Sequence, residues 1–240
     1  MKLPSILLGC SPFIGAGQFG AKAYHYYQKF YLQPENMVKL FKKSFDLNVK
    51  SVQLLSDRPV SALIEASFAA RVKPFVIYST DLSGVGLRRV LERLSPLEPE
   101  VITIHAEIAD SFDVNEIMER IDIVKEHGAT AGIATHQPGI TLPWIKKKRI
   151  PVEVVLAPLN SIGYCMEPDF ETSMKAIREC SNKVVAIKPL AAGRLAPKDA
   201  FKFVYNCADS VAVGIASEEE MKETYDAANI AFEERKVGVK

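Results

Sequence analysis

Cysteine is scarce and scattered: Cys10, Cys165, Cys180 and Cys207 lie far apart, with no C-x-x-C pair and no zinc-like spacing. This excludes a disulfide framework or a thiolate zinc site as the organising element and fits a reducing cytoplasm. An excess of one charge is also lacking. Thirty Lys and Arg against 29 Asp and Glu leave a net charge of +1, so the electrostatic term that dominates nucleic-acid binding has no source. The one dense basic run, "IKKKRI" at 145–150, follows a helical pattern and reads as a helix end whose cations complement the dipole. Long hydrophobic runs are missing as well, since nothing approaches the roughly 20 apolar residues that span a bilayer. The opening "MKLPSILLGC" superficially resembles a lipoprotein processing site. One lysine and a short apolar stretch broken by Pro4 instead favour a buried strand.

What is present is ordinary globular material in a repeating order. Apolar residues make up 48% and charged residues 25%, enough for a large core and too little polarity for long disordered tracts. Eight short, β-branched apolar runs recur: "PSILLG", "VKSVQLL", "KPFVIYS", "EVITIH", "TAGIAT", "VEVVLAP", "KVVAIKP" and "DSVAVGI". Helical patterns with apolar positions three and four apart separate them, among them "ENMVKLFKKSFDLN", "VNEIMERIDIVKEHG" and "DAFKFVYNC". Continuous apolar strands belong to a parallel sheet covered on both sides, and eight βα units close into a (β/α)8 TIM barrel. We therefore expect an α/β protein made of one barrel domain over 1–240, with an open doubly wound sheet as the alternative.

One connection breaks the pattern. The stretch 11–33 after the first strand is long for a βα loop and carries Phe13, Phe19, Tyr24, Tyr26, Tyr27, Phe30 and Tyr31. Such a segment covers a substrate or presents flat rings to it, or else forms a local mini-core or a subunit contact. Its Gly15, Gly17 and Gly20 spell G-x-G-x-x-G. A dinucleotide fingerprint needs a tight turn directly from strand into helix. Several residues intervene here, which favours glycine-enabled loop geometry.

In a parallel barrel the strand C-termini share the rim that carries the active site. The strand ends supply Ser11, Gln53, Asp57, Thr80, Asp81, His105, Glu107, His136, Asn160 and Lys188. His105 is placed to donate a hydrogen bond to a carbonyl oxygen or to shuttle a proton. Glu107, two residues on, points to the same side if the strand continues, so that His105, Glu107 and His136 are candidate metal ligands. Lys188 precedes Pro189, which biases it toward an extended conformation at a strand end. In a dry cavity its amine becomes nucleophilic; as a cation it pairs with an anionic substrate or with Asp57. Ser217 and Glu220 sit at the N-cap and capping-box positions of the last helix. Glu218, Glu219 and Glu220 there repel phosphate.

"KVVAIKPLAAGRL" followed by "SVAVGIASEEEMKET" resembles the seventh and eighth units of aldo-keto reductases over roughly the last 60 residues. The resemblance implies a (β/α)8 barrel, a nicotinamide cofactor (NAD or NADP) across the mouth, and hydride transfer to a small aldehyde or ketone. It implies cofactor contacts at Asn160, Gly193, Arg194, Gly214 and Ser217. Of that family's catalytic Asp, Tyr, Lys and His, the His matches His105. Gln53 stands where the Asp belongs, Arg58 near the Tyr position, and Ser79 and Thr80 replace the Lys. Candidates for the missing acid are Tyr24, Tyr27 and Lys188, with Asp57 as a nearby carboxylate. Glutamates instead of basic residues at the last helix, and Thr224 in place of an Asn, weigh against NADPH more than against NADH.

Three classes remain open: a reductase-like enzyme with a displaced acid, a barrel with changed chemistry (a lyase or aldolase using Lys188, or a metal-assisted enzyme using His105 and His136), and a ligand-binding barrel. Each takes a small molecule as its partner, with neither nucleic acid nor membrane involved.

Overall fold

The computed structural model describes residues 1–237. Each of the eight apolar runs forms a strand: β1 (Ile6–Gly9), β2 (Ser51–Leu55), β3 (Phe75–Thr80), β4 (Val101–Ile104), β5 (Thr130–Ala134), β6 (Val154–Pro158), β7 (Lys183–Ile187) and β8 (Ser210–Gly214). Every neighbouring pair is parallel, and β8 returns to β1 with Ile6 opposite Val211 and Gly9 opposite Gly214, closing the barrel. The outer helices are α1 (Lys22–Tyr26), α2 (Pro34–Asp46), α3 (Asp57–Ala70), α4 (Gly84–Leu94), α5 (Ala106–Ala109), α6 (Val114–Glu126), α7 (Pro138–Lys148), α8 (Phe170–Arg178), α9 (Pro197–Tyr205) and α10 (Glu218–Val237).

The continuous apolarity of the strands has a direct structural cause. Successive side chains point to opposite faces, and both faces are buried. Ile6, Leu8, Val52, Leu54, Val76 and Ile102 pack outward against the helices. Leu7, Ile77, Val101, Val154, Leu156, Val185 and Ala212 pack inward as a second cluster along the barrel axis. Higher in the barrel the inward positions turn polar. The Ser79 and Thr103 hydroxyls are 2.7 Å apart, and Gln53 Nε2 donates to Ser79 Oγ at 3.4 Å and to the Leu54 carbonyl at 3.1 Å. Gln53, Ser79 and Thr103 thus each keep a hydrogen-bond partner.

The segment 11–33 forms the local mini-core expected as one of its roles and also crosses the barrel mouth. Phe13 and Phe30 are fully buried, and the Phe13 ring lies 5.1 Å from Phe30 and 5.3 Å from Phe41 of α2, a mini-core that anchors the loop. Its other residues arch over the strand ends, held by Tyr164 Oη donating to the Gln18 carbonyl (2.8 Å) and Lys29 Nζ donating to the Ala216 carbonyl (2.7 Å). Gly15 ends the first turn at φ 60°, where a Cβ would stand 2.6 Å from the Ala23 carbonyl oxygen. The glycines of the G-x-G-x-x-G pattern thus lie in short turns rather than between a strand and a helix N-terminus. A one-turn π-helix over Tyr27–Tyr31 leads toward α2.

Gly132 of β5 fixes how tightly the barrel closes. A Cβ there would lie 2.7 Å from both Thr103 Cγ2 and the Val154 carbonyl oxygen. Gly132→Ala is expected to destabilise the protein by about 1–3 kcal/mol through overpacking, read as a lower urea midpoint with an unchanged m-value.

Candidate functional site

A cavity of about 520 Å³ opens at the strand C-termini. Gln53, Ser79, Ala134, Leu156 and Ala212 contribute to its inner end. From there it runs between the 11–33 segment and the turn after β7, and out to the first turns of α10. Five of the ten rim residues read from the sequence line it: Ser11, Gln53, His105, His136 and Lys188.

His105 follows β4 directly and caps α5 from an extended backbone (φ −63°, ψ 152°). Its Nδ1 accepts from the Glu107 N–H at 3.3 Å. In the neutral ring this places the proton on Nε2, leaving a donor for a ligand. The His136 ring stands edge-on to His105, with centroids 6.0 Å apart and an interplanar angle of 86°. Partial burial, with Lys188 and His105 adding positive charge, pushes the His136 pKa down to about 4 against the opposing pull of Asp110.

Asp110, at the end of α5, ties these elements together. Its Oδ1 accepts from the Thr135 and Thr141 hydroxyls (2.6 and 2.7 Å) and its Oδ2 from the His136 N–H (2.9 Å). Sequence reasoning passed over this residue, because an aspartate ending a four-residue helix carries no local signal for a contact with the next strand's loop. Lys22, Tyr26 and Glu223 also line the cavity and were not singled out as site residues; the length of the 11–33 loop was the only pointer to the first two.

Lys188 is half-buried, lines the cavity and forms no ion pair among the described residues. Desolvation lowers its pKa, opposed by Cys165, Glu167 and Asp110. The extended conformation expected before Pro189 is not found. Lys188 has φ 55°, and Ala191 (47°), Ala192 (56°) and Gly193 (86°) follow in the left-handed region. The turn outweighs the local bias through Ala191 N–H and Asn160 Nδ2, which donate to the Lys188 carbonyl at 3.0 and 3.4 Å. Non-glycine residues held this way cost of order 1–3 kcal/mol each and cluster at functional sites.

Several expectations are corrected by position. Asp57 begins α3 outside the cavity and pairs with Arg93 at 2.9 Å, so it is not the partner of Lys188. Tyr24 is 68% exposed and does not line the cavity. Strand β4 ends at Ile104 and α5 begins at Ala106, which turns Glu107 out to solvent, away from His105 and His136. Among the described residues no three His, Cys, Asp or Glu are grouped to hold a metal. Arg58 donates to the Tyr31 carbonyl at 2.6 Å and stacks on that ring instead of entering the cavity. Of the residues matched to cofactor contacts, Gly193 and Gly214 line the cavity. Asn160 is a buried strut, its amide donating to the Tyr164 carbonyl (2.9 Å) and accepting from the Tyr164 N–H (2.8 Å). Arg194 lies over the Tyr164 ring at 4.3 Å. Ser217 accepts from the Glu220 N–H at 3.2 Å, while Glu220 accepts from the Ala216 N–H at 3.3 Å. The start of α10 is thereby capped by its own side chains.

No protein-family model and no curated protein sequence matches the chain. Solved structures do. A candidate aldo-keto reductase from Pseudomonas aeruginosa aligns over 95% of this chain and 90% of its own, with a TM-score of 0.68 at 14% identity. A thermostable aldo-keto reductase solved with the inhibitor epalrestat aligns over 96% and 93%, with a TM-score of 0.66 at 16% identity. Orotidine 5′-phosphate decarboxylase from Pyrococcus horikoshii aligns over 83% and 93%, with a TM-score of 0.53 at 18% identity. The fold is therefore a (β/α)8 barrel, similar to those of these aldo-keto reductases and more loosely to other barrel enzymes; identities this low speak for fold alone.

The depressed His136 pKa has a consequence for stability. In the unfolded chain the ring titrates near 6.5, so below that pH the unfolded state binds the additional proton and stability falls progressively down to about pH 4. In NMR titration the His136 ring is expected to stay neutral until about pH 4, and His136→Gln is expected to flatten this limb of the stability profile.

Proposed function

We propose that this protein is an oxidoreductase acting on a small carbonyl compound held at the barrel mouth, with a nicotinamide cofactor. The observation that carries this reading is the convergence of a free His105 Nε2–H and the desolvated Lys188 in one cavity. His105 orients the carbonyl oxygen by hydrogen bonding. The Lys188 ammonium, made more acidic by its surroundings, delivers a proton from Nζ to the oxygen as negative charge develops there. This replaces the Tyr that the family places near Arg58.

The outer cavity suits NADH better than NADPH. Glu220 and Glu223 line it beside α10; carboxylates accept from ribose hydroxyls and repel a 2′-phosphate. The capped helix start offers no anion cradle. Lys22 and the open turn at Gly193, where a Cβ meets nothing within 4 Å, would hold the rest of the dinucleotide. When bound, the cofactor supplies the hydride. The Tyr164–Gln18 and Lys29–Ala216 hydrogen bonds hold the 11–33 segment across this channel and limit water entry. Four unpaired cysteines support placing the protein in a reducing cytoplasm. No helix among the described residues is long and apolar enough to cross a membrane.

Calorimetric titration tests the cofactor reading: NADH is expected to bind in the micromolar range, at least tenfold tighter than NADPH, and absence of binding by both overturns it. With a screened aldehyde or ketone, Lys188→Met is expected to lower turnover about 10²- to 10⁴-fold, the usual contribution of a general acid, while NADH affinity changes little.

A further inference from the structure

We infer that the Lys188 amine is itself a carbonyl-reactive nucleophile, condensing with an aldehyde or ketone in the mouth cavity to form an imine, without any dinucleotide. This activity goes beyond the reductase reading and rests only on the cavity and its residues.

Three observations support it. Lys188 lines a sizeable cavity and has no carboxylate in ion-pair contact among the described residues; the titratable groups near enough to act on it or be acted on by it are Cys165, Glu167, Asp110 and His136. A structural lysine at this depth would be expected to pair with one of the carboxylates, because burying an unpaired ammonium is costly. Asp110 is instead occupied by two hydroxyls and the His136 amide. Next, the turn spends backbone strain to keep Lys188 where it is, in the left-handed region and braced by Asn160 and Ala191. Strain that the surroundings enforce marks a position the fold is built around. Finally, the apolar wall of Ala134, Leu156, Ile187 and Ala212 adjoins two histidines. This wall favours the neutral amine, and the imidazoles supply proton carriers beside it.

The step balances without an oxidant or reductant. The neutral amine adds to the carbonyl carbon, forming a C–N bond as the C=O π bond opens. The oxygen takes up a proton, from an imidazole or water, to give a carbinolamine. Nitrogen gives up two protons in all, one returned to the carrier and one leaving with the hydroxyl as water, so that C=N and one water form per condensation. The ammonium and the amine are two protonation states of one group, so proton donation in reduction and attack on a carbonyl both remain open to it.

The full chain is incubated with glyceraldehyde, and separately with pyruvate, in the absence of nicotinamide. Borohydride then reduces any imine to a stable secondary amine, and the labelled peptides are located by mass spectrometry. With at least one probe, Lys188 is expected to label more than tenfold faster than the exposed Lys198, and the preference disappears in guanidinium. Lys188→Arg is expected to lose the Lys188 label while Lys198 labels as before. Labelling of Lys188 no faster than Lys198 with both probes overturns the inference. Because the wild-type chain carries the primary reading, a folding defect in the variant leaves the test intact. Dinucleotide titration reads the reductase proposal separately, so either can fail alone.

Discussion

The closed parallel pairing of eight strands is the constraint on which everything else depends. Closure buries both faces of every strand, so half of the strand residues must share one narrow axis. Near the bottom that axis is filled by Leu7, Val101, Val154 and Val185. Toward the top the inward residues shrink to Gly9, Ser79, Ala134, Ala212 and Gly214, and the space they leave becomes the cavity. Gly214 shows how little slack there is: a Cβ would stand 2.6 Å from Pro12, which the 11–33 segment lays across the rim. The site is therefore a by-product of side-chain size in a barrel that has to close.

Charge at the mouth is arranged around one carboxylate. Asp110 has both oxygens engaged by the loop that carries His136, and its field also reaches Lys188. One residue on a four-residue helix thereby couples the end of β4, where His105 sits, to the end of β5. Desolvation pushes both Lys188 and His136 toward their neutral forms, and for His136 the positive charges of Lys188 and His105 add to it. A neutral imidazole beside a lysine whose ammonium is made more acidic by burial is an arrangement suited to proton transfer.

The barrel, similar to those of solved aldo-keto reductases, thus carries different residues at its mouth. Where that family's pattern sets Asp and Lys on adjoining strands, Gln53 and Ser79 form a neutral hydrogen-bonded pair with Thr103. Arg58 turns to the aromatic loop. Under the proposed function the reacting groups stand instead at the ends of the fourth, fifth and seventh strands. All eight strand ends face the same space, so any of them can supply groups to it.

The sequence by itself determined the eight strands, the single barrel and the rim on which His105, His136 and Lys188 stand. Apolar runs at βα spacing encode a parallel sheet directly, and the end of a strand is a local property. The capping of α10 by Ser217 and Glu220 was legible for the same reason, being a contact within four residues. What only the tertiary structure decided were relations between distant segments. Asp57 found Arg93 instead of Lys188, and Asp110 found the β5 loop. Glu107 turned outward because α5 starts a residue earlier than a continuing strand would allow, and Lys188 took a left-handed conformation against the local influence of Pro189. Local patterns fix which elements form; which side chains meet across a mouth depends on loops whose course is set by packing and long-range hydrogen bonds, and no local pattern encodes those.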